Sequence, residues 1–247
     1  MRKSLAVCAI ALVVLATGSV TKVLAATNWT EYASNPVYSP DKAYYPSVLK
    51  EGGTYTMWSD CVGGVQNATS TDGINWTTVG QVSGLLNPRH TVVERTGDEY
   101  RIWYDEGSDA HLYSIEAIRT ATSTDGRNWF NDQPITQVGS SVITGIHPNW
   151  NRGSYGPGDV IYNPSGSDEI TVPVNESSVW ANKFVAYYMG TTGVNHESIG
   201  LAVSNDGINW QGYNGGAAPV LAGTGSDSDW DWQRVGYPTV VKENDDA

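Results

Sequence analysis

The sequence predicts an all-β chain assembled from repeated four-stranded antiparallel sheets, and three observations predict it. One phrase occurs three times: Ala68–Trp76 reads A-T-S-T-D-G-I-N-W, Ala121–Trp129 reads A-T-S-T-D-G-R-N-W, and Ala202–Trp210 reads A-V-S-N-D-G-I-N-W. An aromatic-rich segment precedes each copy: Tyr55–Trp58, Tyr100–Tyr104 and Phe184–Met189. No segment carries a sustained helical period, whereas strand signals run throughout.

Residues 1–26 read as a secretory signal peptide. Arg2 and Lys3 give a basic start, Leu5–Val14 an apolar run, and Val23-Leu24-Ala25 a small-residue cleavage site, too short for a stable membrane span. The mature chain, 27–247, is then a single exported domain, secreted or periplasmic. Removing Arg2, Lys3 and Lys22 deepens the net charge from −12 to −15. So acidic a surface repels phosphate backbones and anionic lipid, which excludes nucleic acid and membrane surfaces as partners and leaves neutral ligands such as sugars. Cys8 lies in the signal segment, so Cys61 has no intrachain disulfide partner and is expected to be buried and inert.

Each unit builds outward from its repeat. A short apolar strand comes first: Pro46–Leu49, Thr91–Val93 and Asp159–Tyr162. A Gly-bearing turn leads to the aromatic strand in the first two units, and Asn163–Asn182 stretches that hairpin in the third. The third strand then enters the Asp-Gly turn, where Gly takes positive φ freely and Asp bonds its own downstream backbone. Asp72, Asp125 and Asp206 are accordingly turn residues, and a Trp-led strand closes each unit.

Four antiparallel strands in meander order, repeated, describe the blades of a β-propeller; a β-sandwich is the alternative. Tyr237–Val241 matches Tyr45–Leu49 and opens a fourth unit just before the chain stops at Ala247. The reading is therefore of an incomplete ring: three blades plus the first strand of a fourth, C-terminally truncated.

The short x-P-x-V strands, the aromatic strands ending near W-Y and the S-x-D-G-x-x-W turns resemble the five-bladed propeller glycosidases. That group includes arabinanase and β-xylosidase-like enzymes, invertase- and levanase-like enzymes, and β-mannoside phosphorylases. The resemblance runs from about Asp41 to Val241. It implies an active site at the mouth of a central channel, where the first strands begin, and three carboxylates from the first three blades. Hydrolysis needs two carboxyl groups about 5–5.5 Å apart for retention, or about 6.5–9.5 Å for inversion, one of them kept protonated by burial. Where the resemblance puts those carboxylates, this chain has Tyr45-Pro46, Arg89-His90 and Tyr155-Gly156-Pro157.

Other channel residues are the candidates. Asp41, Asp159 and Asp231 are read as catalytic, and Tyr45, Arg89, His90, Asp105, Tyr155, Arg234 and Tyr237 as substrate-binding. Asp60 and Asp105 follow equivalent aromatic strands, with loop capping as their alternative role. The ten Trp and fourteen Tyr supply both packing and surfaces for stacking on sugar rings. The four His lack metal-ligand spacing; no cofactor is called for, and although such propellers accommodate a channel Ca²⁺, no residue demands one. Asn28, Asn67 and Asn175 fit the glycosylation sequon. The functional expectation is a glycoside hydrolase-like enzyme acting on an oligo- or polysaccharide. The alternative is a non-catalytic carbohydrate-binding or surface-interaction propeller.

Overall fold

The computed structural model describes residues 30–40, 43–107, 115–137, 153–154, 157–163, 183–191, 197–212, 218–223 and 234–240. Two units divide the chain, Met1–Asn35 and Pro36–Ala247. In the first, residues 30–35 hold a turn in which the Asn35 N–H donates to the Tyr32 carbonyl.

The second unit is all strand and turn among its described residues. Blade 1 is a sheet of β1 (Tyr44–Glu51), β2 (Thr54–Cys61), β3 (Gly64–Ser70) and β4 (Thr77–Gln81) in sequence order. Blade 2 repeats it with β5 (Pro88–Thr96), β6 (Glu99–Gly107), β7 (Ile115–Ser123) and β8 (Phe130–Pro134). The short β9 (Thr136–Gln137) and β10 (Gly153–Ser154) then lead to β11 (Asp159–Tyr162), β12 (Phe184–Thr191), β13 (Glu197–Ser204) and β14 (Asn209–Gly212), which form blade 3. There β10 and β11 both pair with β12, β9 joins β14 in parallel, and β15 (Leu221–Ala222) pairs with β13. Three antiparallel four-stranded meanders make this a propeller and not a sandwich. Tyr237–Val240, the expected opening of a fourth blade, pairs with no strand among the described residues.

The repeated phrase is a self-contained turn. Ser70 Oγ accepts the N–H groups of Asp72 and Gly73, while Asp72 Oδ1 accepts those of Ile74 and Asn75. The Asn75 side chain closes the loop onto Asp72 Oδ2 at 2.7 Å. The same bonds recur around Asp125 and Asp206. These donors hold the Asp72 and Asp125 carboxyls well below the usual range.

The two larger core clusters lie between blades, and a third, Val185, Leu201 and Val203, lies on blade 3 alone. Trp58 and Val65 of blade 1 pack on Val93, Ile102, Tyr104, Ala121 and Trp129 of blade 2. Trp103 and Val92 of blade 2 meet Val160, Phe184, Tyr188 and Trp210 of blade 3. A buried indole N–H favours an acceptor, and for Trp58 and Trp103 the next blade's turn supplies it. Trp58 Nε1–H donates to the Gly126 carbonyl at 2.7 Å, and Trp103 Nε1–H to that of Gly207 at 2.9 Å. Gly126 has φ +69 and a Cβ there would come within 2.8 Å of the Trp58 ring, so glycine is required twice over.

Val48, Val93 and Val160 occupy one register position on β1, β5 and β11. The last two are 1% exposed and Val48 is 44%, because among the described residues no sheet packs on that face of blade 1. Cys61, expected to be buried, is only partly so: it ends β2 at the hairpin to β3, where Gln81 Nε2 lies 3.8 Å from its sulfur. Partial burial still raises its pKa, which keeps it a thiol.

Candidate functional site

The opening strands of the three blades and the Tyr237–Val240 segment line a single channel of about 550 Å³. Its walls carry Tyr45 and Ser47 of β1, His90 and Glu94 of β5, Asp159 of β11, and Tyr237. Tyr45, His90 and Tyr237 share an unusual backbone: each sits at the start of its segment with φ of +50, +49 and +52. Non-glycine residues adopt this left-handed region at a cost of about 1–2 kcal/mol, and such strain clusters at functional sites.

That conformation turns three rings toward one another. Tyr45 and Tyr237 stack with centroids 5.3 Å apart and an interplanar angle of 24°, their hydroxyls 3.3 Å apart. The His90 ring meets Tyr45 edge-on at 4.1 Å. Burial and the bond to Tyr45 push the Tyr237 phenol upward. The outer face of this exposed, stacked pair offers a flat apolar surface on which a sugar stacks.

Behind this cluster stand Asp60 of β2 and Asp105 of β6, with exposures of 8% and 2%. They are strand residues deep in the sheet, not the caps of loops. Asp105 Oδ2 lies 2.7 Å from His90 Nδ1, and Asp60 Oδ2 accepts the His90 N–H at 2.8 Å. Among the described residues Asp60 Oδ1 has no hydrogen-bond partner, and it is buried. Burial therefore pushes Asp60 up to about 6, against the pull of the His90 amide.

Glu94 is the channel carboxyl that sequence reading missed. Burial first, and then the negative charge of Asp159, push it up to about 7. Its only signal was an acidic residue directly after the apolar Val92-Val93 pair of the inner strand. Asp159 is also raised by burial, yet both its oxygens are committed: Oδ1 accepts the Val160 N–H at 2.9 Å and Oδ2 the Val240 N–H at 2.7 Å. It ties the 234–240 segment to blade 3.

The remaining predicted residues fall elsewhere. Arg89 is exposed beside the channel lining, on β5 opposite Asp105. Arg234 lies outside the lining and pairs with Glu197 at 3.5 Å. Asp41, Tyr155 and Asp231 lie outside the described residues. No group of three or more His, Cys, Asp or Glu suited to a metal occurs among the described residues.

The raised carboxyls tie stability to pH. A folded-state pKa above the unfolded value contributes stability that is complete below the unfolded pKa and is lost as pH rises through the folded one. For Asp60 that window runs from 3.8 to about 6. Asp60→Asn should therefore gain on the native chain across this window by on the order of 2–3 kcal/mol, read as denaturation midpoints at its two ends. An unchanging difference would mean that Asp60 is not desolvated.

No protein-family model and no curated protein matches the sequence. The fold does match solved structures. An N-acetylgalactosamine deacetylase from F. plautii, in complex with blood group B trisaccharide, superposes with a TM-score of 0.60 at 16% identity, over 81% of this chain and 60% of that one. A family 32 β-fructofuranosidase from Bombyx mori gives 0.51 at 16% identity, covering 80% of this chain and 40% of that enzyme. A family 117 glycoside hydrolase from Zobellia galactanivorans gives 0.50 at 13% identity, covering 73% and 57%. The chain thus has the propeller fold that glycoside hydrolases use, and spans about 60% or less of these proteins' lengths.

Proposed function

We propose that this protein is an exported, carbohydrate-active propeller that hydrolyses a glycosidic bond at the mouth of its channel. The observation that carries the reading is the convergence of four chain segments on one channel, with a stacked tyrosine pair and a protonatable Glu94 in its lining. A carboxyl held near neutrality is suited to protonate a leaving oxygen, and a fixed anion such as Asp159 is suited to stabilise the positive charge that develops on the sugar. The similar solved structures support the ligand class, since each is of an enzyme that acts on carbohydrates. The basic, apolar and small-residue succession over residues 1–26 supports export. Asp41 and Asp231 remain candidates for a further carboxylate.

A second reading, a binding module without turnover, is favoured by two specific observations. Tyr45 and His90 stand where the resemblance calls for carboxylates, and both Asp159 oxygens are already engaged. Screening the mature protein against aryl glycosides and oligosaccharides, with a glycan array in parallel, separates the two. Product release supports hydrolysis; retention of glycans with no product supports the binding module.

A further inference from the structure

Hydrolysis of a glycosidic bond requires a group that takes a proton from water as well as one that gives a proton to the leaving oxygen. Asp159 is poorly suited to the first task, with a backbone amide on each oxygen. His90 is not so constrained. Its Nδ1 is 2.7 Å from a carboxylate oxygen of Asp105, and an ionised carboxylate only accepts. The neutral imidazole therefore carries its proton on Nδ1 and keeps the lone pair on Nε2. Among the described residues Nε2 has no partner, and His90 lines the channel with its side chain 22% exposed, while that of Asp105 is 3% exposed.

A buried carboxylate behind an accessible imidazole fixes the tautomer and stabilises the imidazolium that forms on proton transfer. Blade 1 supplies Asp60 to hold the His90 backbone in its left-handed conformation, and blade 2 supplies Asp105 to aim the ring. Two carboxylates from two blades thus converge on one residue facing the channel.

We propose that His90, positioned by Asp105, is the general base of this site and activates the water that attacks the sugar's anomeric carbon. The inference rests on the hydrolytic reading above. The water oxygen bonds to the anomeric carbon as the bond to the leaving oxygen breaks; one water proton passes to His90 Nε2, and the Glu94 proton passes to the leaving oxygen. Exchange with solvent then restores both groups. The titratable groups facing His90 are Asp60 from β2, Asp105 from β6, Tyr45 from β1 and Tyr237.

The test follows turnover of p-nitrophenyl glycosides and oligosaccharides from acid to alkaline pH, with ¹⁵N spectra of the histidines. Native protein is compared with His90→Asn, which tolerates the left-handed backbone, and with Asp105→Asn. Both variants should lose on the order of 10²-fold or more in kcat with KM little changed. His90→Asn should also lose the acid limb of the pH profile, and the native spectrum should show the neutral His90 proton on Nδ1, redistributed in Asp105→Asn. Turnover that His90→Asn retains, acid limb included, overturns this inference and leaves the hydrolytic reading standing. A native His90 proton on Nε2 overturns it too, a result that does not depend on any variant folding. Absence of turnover by the native protein defeats the hydrolytic reading and this inference with it.

Discussion

Replacing Trp103 with alanine is expected to cost about 3–5 kcal/mol of stability, a large part of what a domain of this size possesses. Trp103 is 1% exposed and stands between two blades, edge-on to Phe184 at 5.6 Å and to Trp210 at 6.2 Å. Its removal opens a cavity in the seam and takes from the Gly207 carbonyl one of its two indole donors, the other being Trp210. Trp103→Phe separates the two effects, keeping most of the volume while losing the bond to Gly207. It should cost on the order of 1–2 kcal/mol, read by urea denaturation. Equal costs for the two variants would mean that the hydrogen bond, not the packing, joins the blades.

Glu94→Gln is expected to lower kcat by on the order of 10²–10⁴-fold on substrates whose leaving group needs a proton. Glutamine fills the same space and has no proton to give. With p-nitrophenyl glycosides, whose leaving phenolate needs no proton, the loss should be much smaller. The pH profile carries the same signature. An acid that must be protonated fails as pH rises through its pKa, so native activity should fall through about 7 on the alkaline side. Glu94→Gln should lack that limb. A variant that keeps both its rate and its alkaline limb would remove Glu94 from the chemistry.

The turns were legible in sequence because Ser70, Asp72, Gly73, Asn75 and Trp76 satisfy one another within a few residues, so the whole device repeats as a phrase. The blade strands were legible for the same reason, being set by local alternation and by hairpins. What joins the blades was not legible. Trp58 finds its acceptor 68 residues away at Gly126, and Trp103 finds its own 104 residues away at Gly207; nothing local marks either partner. The same distance problem hid the roles of Asp60 and Asp105. Their equivalence was visible in Trp58-Ser59-Asp60 and Trp103-Tyr104-Asp105, but only folding brings both to His90. Glu94 was missed because a charge next to Arg95 at the end of an apolar pair looks like a solvent-facing residue until neighbouring blades enclose it.

The most direct test of the central claim, that the channel is where a sugar is held, is calorimetric binding of a glycan selected by the native protein. Tyr237→Ala should weaken binding on the order of tenfold or more, through loss of the stacked pair, while Tyr44→Ala, next to Tyr45 but outside the channel lining, should leave it unchanged. Full affinity in Tyr237→Ala, or an equal loss in Tyr44→Ala, would put the sugar elsewhere on the molecule.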